Sequence, residues 1–318
     1  MRKQIPVFFT IDDSYAPLLY VAIHSMLKHA SKEYDLKIHI IEEQVSDAHK
    51  AKILSLQQEH VSIQFCPMKE SLEEITDRTE NHLRCDYFTM TIYFRLFIPE
   101  MFPQYDKAIY LDSDVIVPGD ISKLYETDLQ DHILGACPDH SVSEVPALAR
   151  YMEEAIGIDR NHYINSGVLL MNLKKMREKK LSKHFLQLLK TYHMDCIAPD
   201  QDYLNAMCYG DLCYLAECFD AMPNKAKQTK VEHPVIIHYN LFDKPWCYDG
   251  IQYEEEFWAE AKETEFYDAL RLQKEQYGEE QKKSDQEAFA RMLHKAEMIP
   301  DNSHTFLKLY NNGVKIRL

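Results

Sequence analysis

The sequence predicts an α/β protein with a mixed, mainly parallel sheet flanked by helices, followed by a helical C-terminal appendage. Strand-like and helical patterns alternate along the first part of the chain, which is typical of a sheet covered on both faces. The character changes after Trp246, where strand-like runs give way to segments rich in Glu, Lys and Gln. With 318 residues, the chain is long enough for a large α/β domain plus an appendage. We expect the boundary between residues 1–250 and 251–318.

The predicted elements follow from apolar periodicity and from helix-start signals. Residues 7–11 form a short apolar run that indicates a buried strand, and Pro17 in the first turn favours a helix. Ser46 is suited to the N-cap of the next helix. In order, the sequence predicts strand 7–11, turn 12–15, helix 17–29, strand 36–41, helix 46–60, strand 61–66, an irregular polar stretch 69–86, helix 89–98, strand 107–117, strands 133–137 and 164–171, helices 176–193 and 201–208, and strand 235–238.

The C-terminal segment is predicted to be a solvated helical extension. Residues 254–297 are predominantly acidic, and basic character returns only in the last segment, which includes Lys308, Lys315 and Arg317. A contact of that segment with a membrane surface is the alternative. The longest run without Asp, Glu, Lys or Arg spans residues 14–27 and is too short for a transmembrane segment.

Charge and cysteine content narrow the function classes. The net charge of -15 argues against nucleic acid as a partner, because a polyanion would be repelled. Eight cysteines occur without a Cys-x-x-Cys pair, in a chain too large to need disulfides. Cys208, Cys213 and Cys218 lack the usual spacing of a zinc site. Reduced thiols in a cytoplasmic protein are the interpretation we favour.

Glycine is too scarce for a phosphate-binding loop. The chain has eight glycines, and the closest two, Gly157 and Gly167, are separated by ten positions. Neither a Gly-x-Gly-x-x-Gly turn nor a P-loop is therefore possible. A nucleotide-binding α/β protein without such a loop would hold phosphate through a divalent cation chelated by carboxylates.

Asp112-Ser113-Asp114 is a candidate for that chelate. The motif lies at the end of an apolar strand, where parallel sheets place ligands, and its two charges would be unfavourable there without a cation. His238, after the apolar run 235–237, would suit as a third ligand. From spacing alone, a pair of acids in an exposed turn and a hydrogen-bonded core histidine remain open.

Six segments in order resemble glycosyltransferase family 8, which includes glycogenin and bacterial lipopolysaccharide galactosyl- and glucosyltransferases. The resemblance runs from about Ile5 to Trp246. The segments are Phe9-Thr-Ile-Asp-Asp-Ser-Tyr15, Tyr93-Phe-Arg-Leu96, Tyr110-Leu-Asp-Ser-Asp-Val115, Asn165-Ser-Gly-Val-Leu-Leu-Met-Asn-Leu173, Asp200-Gln-Asp202, and His238 followed by Lys244-Pro-Trp246. The resemblance implies a GT-A fold, a Rossmann-like nucleotide-binding domain.

The resemblance also implies residue roles. Asp112, Asp114 and His238 would bind Mn²⁺, with Mg²⁺ as an alternative. The implied donor-binding residues are Asp12, Asp13, Ser14, Tyr15, Arg95, Asp112, Ser113, Asp114, Asn165 and Lys244; the implied catalytic residues are Gln201, Asp200 and Lys244; Asp139 would face the acceptor. Asp12 would bind the uracil edge, Tyr15 would stack on it, and Lys244 would contact the diphosphate. Ser14 departs from the family, which often has Asn there, and this leaves the ribose contacts open.

The implied activity is retaining transfer of a hexose, glucose or galactose, from a UDP-sugar to a hydroxyl of a glycan or lipopolysaccharide-type acceptor. The residue matched to a nucleophile position is Gln201, whose neutral amide is a poor nucleophile, so attack by the acceptor on the same face is expected. One alternative is a non-catalytic UDP-sugar sensor or scaffold that keeps the metal site. Another is an unrelated metal-dependent phosphotransferase or hydrolase, which would not need uracil recognition by Asp12 and Tyr15.

Overall fold

The computed structural model describes residues 2–67, 90–224 and 230–318 of the chain. The strands are β1 (Lys3–Asp12), β2 (Tyr34–Glu43), β3 (Val61–Pro67), β4 (Ala108–Leu111), β5 (Val115–Ile116), β6 (Leu134–Pro138), β7 (Ile164–Met171), β8 (Leu212–Tyr214) and β9 (Ile237–His238). The α-helices are α1 (Ala16–His29), α2 (Asp47–Leu54), α3 (Ile98–Met101), α4 (Ser122–Glu126), α5 (Pro146–Tyr151), α6 (Leu173–Glu178), α7 (Leu181–Tyr192), α8 (Pro199–Cys208), α9 (Glu254–Ala261), α10 (Tyr267–Gln276), α11 (Glu279–Met298) and α12 (Phe306–Asn311). Short 3₁₀ helices lie at Asp13–Tyr15, Met90–Phe97, Glu217–Phe219 and Ile299–Asp301, and a π-helix at Met152–Ile156.

Seven strands form one sheet in the order β3-β2-β1-β4-β7-β6-β8. β1 pairs in parallel with β2 and β4, β2 with β3, and β6 with β8. β7 runs antiparallel to both of its neighbours, β4 and β6. The prediction of a mixed, mainly parallel sheet flanked by helices is therefore confirmed.

A second, two-stranded sheet stands at the carboxyl end of β4. β5 and β9 run antiparallel, with Val115 opposite His238 and Ile116 opposite Ile237. This small sheet joins the loop after β4 to a segment far along the chain. It therefore sets which side chains meet above the large sheet.

Apolar side chains of the central strands alternate between two core clusters, one on each face of the sheet. Phe8, Tyr110 and Leu169 belong to one cluster, whereas Ile109 and Leu170 belong to the other. This follows from the two-residue period of a strand, which sends successive side chains to opposite faces. Strands buried on both faces read as continuous apolar runs, which is why they could be recognised in the sequence.

The C-terminal helices pack on the same two clusters. Phe257 and Leu270 of α9 and α10 contribute to the cluster of β1 and α1, and Ala288 and Met292 of α11 contribute to the other. The predicted helical C-terminal segment is confirmed. The domain boundary between residues 250 and 251 stays a prediction.

Several predicted elements end elsewhere than expected. The helix predicted for residues 46–60 ends at Leu54, and Gln58 already bridges to Val61 at the start of β3. The helix predicted for residues 176–193 is two helices, broken where Lys180 takes a positive φ of 56°. The helix predicted for 89–98 is a 3₁₀ helix that runs into α3.

Other predicted elements are shorter than expected or lie outside the described residues. Strand 107–117 is interrupted by the loop at Asp112–Asp114, and strand 235–238 is reduced to two residues. The stretch 69–86 and Cys85 lie outside the described residues. The other seven cysteines are free thiols. None of the helices in the described ranges combines the length and the apolar character needed to cross a bilayer.

Candidate active site

The loop at the carboxyl end of β4 places two acids above the sheet. β4 ends at Leu111, and the chain passes through Asp112–Asp114 directly into β5. The backbone N–H of Asp112 donates to the carbonyl of Gly167 at 2.7 Å, which ties the loop to β7. The position is the one where open α/β sheets bind ligands.

His238 meets these acids because β9 pairs with β5. The backbone N–H of Tyr239 also donates to the carbonyl of Asp114 at 2.9 Å. His238 Nε2 lies 3.4 Å from Asp114 Oδ1 and 4.0 Å from Asp112 Oδ2. Asp112, Asp114 and His238 thus converge as expected, each with a potential ligand atom within 4.8 Å of the others.

The two oxygens of Asp112 have different surroundings. Oδ1 accepts from Arg95 Nη2 at 2.7 Å and from the hydroxyl of Tyr110 at 2.7 Å. Oδ2 is the oxygen that faces His238. The hydroxyl of Tyr110 also forms a hydrogen bond of 2.8 Å with Thr10 Oγ1 of β1. The carboxylate is therefore held in one orientation by donors on one side and presents its other oxygen to the site.

Asp114 is held by Lys244. Lys244 Nζ donates to Asp114 Oδ2 and to the carbonyl of Tyr239. Asp114 Oδ1 is buried and accepts no hydrogen bond from the described residues, although His238 Nε2 is nearby. Burial would raise the pKa of Asp114, but Lys244 and His238 hold it well below its usual range. The aspartate is thus a fully ionised carboxylate with one unpaired oxygen.

His238 is oriented from behind by Asp220. Asp220 Oδ1 lies 3.1 Å from His238 Nδ1, and both side chains are buried. A proton on Nδ1 would donate to Asp220 and leave Nε2 as the ligand atom, as is usual for metal-bound histidines. Burial alone would lower the pKa of His238, but Asp220 and Asp114 raise it to about 10. The carboxylates around this imidazole therefore favour a positive charge, which either a proton on Nε2 or a cation in its place can supply.

A divalent cation fits this donor set. Two carboxylates and one imidazole are ligands suited to Mn²⁺, and the unpaired Asp114 Oδ1 is a buried acceptor that an ion would satisfy. A second grouping of His24, Glu260 and Glu263 has similar spacing. There Lys28 Nζ lies 2.6 Å from Glu263 and 3.4 Å from Glu260, so an ammonium already pairs with both acids.

Gly167 makes room for the triad. A Cβ atom built on this glycine would lie 2.2 Å from His238 Cε1 and 2.8 Å from Asp112 Oδ2. Real Cβ atoms essentially never approach other atoms so closely, so a side chain here would displace the ligands. The glycine in Asn165-Ser166-Gly167 is therefore required by a close approach and not by its backbone angles.

Arg95 links the triad to the predicted catalytic residues. Its guanidinium donates to the carbonyl and hydroxyl of Ser166 at 2.6 and 3.0 Å, and its Nε lies 3.1 Å from Asp200 Oδ2. Burial would lower the pKa of Arg95, but Asp112 and Asp200 raise it further above its usual value. One buried cation is therefore shared between an acid of the triad and an acid of α8.

A network of buried polar side chains adjoins Arg95. Gln201 Oε1 accepts from the backbone N–H of Ser166 at 3.0 Å, and its Nε2 donates to Asp139 Oδ2 at 3.1 Å. Asn165 Nδ2 donates to the same oxygen at 2.9 Å, and Asn165 Oδ1 accepts from the N–H of Gly167. Asp139 and Gln201 are each 1% exposed. The structure thus brings Asn165, Asp200, Gln201 and Asp139 together.

The triad opens onto a cavity of about 380 Å³. Asp12, Ser14 and Tyr15, from the turn after β1, line it together with Arg95 and Lys244. The residues of the Asp139–Gln201 network are not among its lining residues; Asp139 and Gln201 instead line a separate cavity of about 30 Å³. Leu241 borders both cavities.

The turn after β1 has a defined geometry. Asp12 Oδ1 accepts from the backbone N–H and the hydroxyl of Ser14 at 2.9 and 2.6 Å. Asp13 instead contacts the N-terminus of α2, where its carboxylate accepts from Ser46 N–H at 2.8 Å and lies 2.7 Å from His49 Nδ1. The Ser46 bond lowers the pKa of Asp13 despite slight burial. Asp13 does not line the cavity, and its donor-binding role stays a prediction.

Some site residues could not be singled out from the sequence. Asp220 lies in Cys218-Phe-Asp-Ala-Met222, which carries no signal of its own, and Ser166 was visible only as part of a longer segment. The requirement that a metal-bound histidine have an acceptor on its other nitrogen predicts a residue such as Asp220 but does not locate it.

The sequence matches the family model for glycosyl transferase family 8 over residues 6–250. The chain belongs to this family. The matched range contains the triad, the cavity-lining turn after β1, Arg95 and the Gln201 network. Family membership indicates an enzyme that transfers a sugar, which agrees with the resemblance found in the sequence.

Known relatives support the assignment. The chain is 27% identical over 248 residues to a putative glycosyltransferase of Haemophilus influenzae, a match covering 76% of this chain and 72% of the relative. It is 26% identical over 265 residues to the lipopolysaccharide 1,2-glucosyltransferase of Escherichia coli K12, covering 78% and 75%. Among solved structures, the galactosyltransferase LgtC in complex with donor and acceptor sugar analogs superimposes with a TM-score of 0.70 at 27% identity, covering 84% of this chain and 100% of LgtC. This structural similarity confirms the GT-A fold that the family resemblance implied.

Proposed function

We propose that this family 8 glycosyltransferase moves a hexose, glucose or galactose, from a UDP-sugar to a hydroxyl of a glycan or lipopolysaccharide-type saccharide, with retention of configuration and with the help of Mn²⁺. The observation that carries the proposal is the convergence of Asp112, Asp114 and His238 at one wall of a cavity that Asp12 and Tyr15 also line. Relatives that include a lipopolysaccharide glucosyltransferase and a galactosyltransferase support the hexose and the acceptor class.

The cation would be held by Asp112 Oδ2, Asp114 and His238 Nε2. When bound, it supplies Lewis-acid stabilisation of the negative charge that grows on the diphosphate as the sugar leaves. Mn²⁺ is the proposed ion. Mg²⁺ would suit the two carboxylates but is less well matched to the imidazole. The proposed cytoplasmic location is supported by the seven free thiols.

Lys244 is proposed to serve the leaving group. Its ammonium lies at Asp114 and 5.5 Å from the centre of the Trp246 ring, so it is already positioned beside the proposed cation. A diphosphate carries more negative charge than Asp114 and would compete for this ammonium. Exchange of Asp114 for a phosphate oxygen would then stabilise the transition state more than the ground state.

Same-face attack is supported by the state of the residues near the proposed sugar site. Gln201 is neutral, and both ends of its amide are engaged, by Ser166 and Asp139. The Asp200 carboxylate is paired with Arg95 at 3.1 Å and accepts from the Ser166 hydroxyl at 3.0 Å, which lowers its nucleophilicity. In the proposed reaction the acceptor oxygen bonds to the anomeric carbon as the bond to the diphosphate breaks, and the leaving phosphate oxygen takes the acceptor proton.

A donor screen tests the activity. The purified chain is incubated with UDP-glucose, UDP-galactose and other UDP-sugars plus Mn²⁺, and UDP release is measured with and without saccharide acceptors. Turnover that is lost in EDTA, in Asp112→Asn and in His238→Ala is expected. Binding of UDP-sugars without any turnover, even hydrolysis by water, would instead favour a sensor. If the protein used the corresponding ADP and GDP compounds as well as the UDP compounds, a phosphotransferase or hydrolase would be favoured.

The stereochemical proposal has its own test. Single-turnover mixing of the parent enzyme with donor, followed by intact-mass measurement, is expected to show no glycosylated protein, and product analysis is expected to show the donor's anomeric configuration. A covalent glycosyl adduct on Gln201 in the parent, or an inverted product, would refute same-face attack.

A further inference from the structure

The C-terminal helices form one wall of the large cavity. Gln273 of α10, Tyr277 just after α10 and Asp285 of α11 line it, beside Trp246 and Tyr248 from the segment that follows β9. The match to the family 8 model ends at residue 250. Three residues outside the matched range therefore face the same cavity as the proposed metal ligands.

Asp285 ties two of these residues together. Its Oδ2 accepts from the hydroxyl of Tyr248 at 2.5 Å and from the hydroxyl of Tyr277 at 2.6 Å, and Asp285 is 7% exposed. The two phenol rings meet edge to face, with centroids 5.7 Å apart. A nearly buried carboxylate would be unfavourable without such donors, so the three groups stabilise one another in one arrangement. We call Tyr248, Tyr277 and Asp285 the tyrosine clamp.

The tyrosines of the clamp pack against the same core cluster as α1. Tyr15, Tyr248 and Tyr277 all pack against the core cluster that contains Leu18 and Trp246, and Leu18 and Tyr15 line the cavity as well. α1 is also fixed to α9 through the ion pairs of Lys28 with Glu260 and Glu263. The C-terminal helices are thus held against the element that begins with the turn Asp12–Tyr15.

The chemistry of this wall differs from that of the triad. It presents aromatic edges, hydroxyl oxygens and the exposed amide of Gln273, and its one carboxylate is already bonded to two phenols. Such a surface suits a flat, neutral heterocycle and sugar hydroxyls, whereas a diphosphate suits the cation-binding wall. The two walls together match the two halves of a nucleoside diphosphate.

We infer that the tyrosine clamp and Gln273 form the part of the donor site that binds the nucleoside. The C-terminal segment thus contributes binding residues to that site. The inference rests on the proposed function, because it takes the cavity to be the UDP-sugar site. Tyr248 and Tyr277 bind the base and ribose directly, and Asp285 acts as a positioning residue through them.

The test separates the two halves of the ligand. Affinities for UDP and for inorganic pyrophosphate, both with Mn²⁺, are measured by calorimetry for the parent and for Tyr277→Phe, Asp285→Asn and Gln273→Ala. Loss of one hydrogen bond predicts UDP affinity lower by about three- to tenfold, with pyrophosphate affinity unchanged. KM for the UDP-sugar is expected to rise by a similar factor while kcat stays within about twofold.

Glu287→Gln is the matched control. Glu287 lies on the same helix as Asp285, its side chain is 57% exposed, and the change removes the same charge. It should leave UDP affinity unchanged. Gln273 is exposed, so Gln273→Ala keeps the test valid even where a clamp variant unfolds.

The outcomes are distinguishable. Parent protein that binds neither UDP nor pyrophosphate with Mn²⁺ would contradict the proposed function itself. Parent protein that binds UDP, with all three variants binding it equally well, would overturn the inference alone. Equal losses for UDP and pyrophosphate together with a lower melting temperature would assign the clamp a structural role only, which also overturns it.

Discussion

Gly167 and His238 approach each other so closely that a Cβ atom on Gly167 would lie 2.2 Å from the Cε1 atom of His238. This contact joins β7 of the large sheet to β9 of the small one. The absence of a side chain at residue 167 is therefore a condition for the triad geometry. It gives the metal site a test that substitutes none of the candidate ligands.

Gly167→Ala is expected to weaken Mn²⁺ binding by about tenfold or more, because His238 and Asp112 must shift out of position. The measurement is the Mn²⁺-dependent rise in melting temperature, titrated to give an affinity. Gly278→Ala is the control, since a Cβ there comes no closer than 3.4 Å to another atom. Parent-like Mn²⁺ affinity in Gly167→Ala would show that the three side chains do not share an ion.

Asp220→Ala is expected to lower Mn²⁺ affinity by roughly 10- to 100-fold, because His238 Nδ1 loses the acceptor that fixes the ring. Asp220→Asn should retain most of the affinity, since an amide oxygen can accept the same hydrogen bond. Calorimetric titration of both variants with Mn²⁺ gives the comparison. Equal losses in the two variants would indicate that the charge of Asp220, and not its hydrogen bond, matters.

Gln201→Glu is expected to destabilise the fold by roughly 2–3 kcal/mol at neutral pH. The change places a second carboxylate about where Nε2 now donates to Asp139 Oδ2 at 3.1 Å, and buried like charges repel. The loss should shrink as the pH falls, because a proton shared by the two acids restores a donor. Chemical denaturation at several pH values measures it, with Gln64→Glu at an exposed position as the control.

His39 is expected to make the protein less stable in acid. Burial, with a smaller effect of Lys37, lowers the pKa of His39 from 6.5 to about 4. The unfolded chain therefore binds a proton between pH 6.5 and 4 that the folded protein does not, so stability is full above pH 6.5 and falls as the pH drops through this window. The loss attributable to His39 at pH 4 is about 3 kcal/mol, since one pKa unit corresponds to about 1.4 kcal/mol.

His39→Phe should remove that part of the pH dependence. The histidine ring stacks on Phe8 with centroids 5.0 Å apart, so a phenyl ring can occupy the same place. Free energies of unfolding between pH 4 and 7 provide the measurement. His304→Gln, at an exposed position, should leave the slope unchanged. An unaltered slope in His39→Phe would assign the acid sensitivity to other groups.

The strands and the two acids of the triad could be predicted because each depends on a strong local pattern. Residues 7–11 and 168–171 are mainly apolar runs that only a doubly covered sheet buries completely, and β1 and β7 contain them. Asp112 and Asp114 stand out because they interrupt such a run. His238 follows an apolar run and could also have been a hydrogen-bonded core histidine, and the family resemblance then favoured its role as a ligand. Its meeting with the acids depends on strand pairing that no local pattern specifies.

The rest was set by tertiary contacts. The helix predicted to reach His60 stops at Leu54 because the chain must turn for Gln58 to bridge Val61 and start β3. Asp13 resembles its neighbour Asp12 in the sequence, yet the start of α2 captures its carboxylate. Asp220 becomes important only because His238 is placed beside it, and sequence spacing carries no trace of that contact.

The pairing of Val115 with His238 has a consequence for the order in which the protein folds. The two acids and the imidazole belong to distant parts of the chain, so no fragment that ends before β9 can assemble the full ligand set. Such non-local contacts form late, after the loop between them has closed. Cation uptake would therefore report completed folding, and a nascent chain on the ribosome would acquire its ion only after most of its length had emerged.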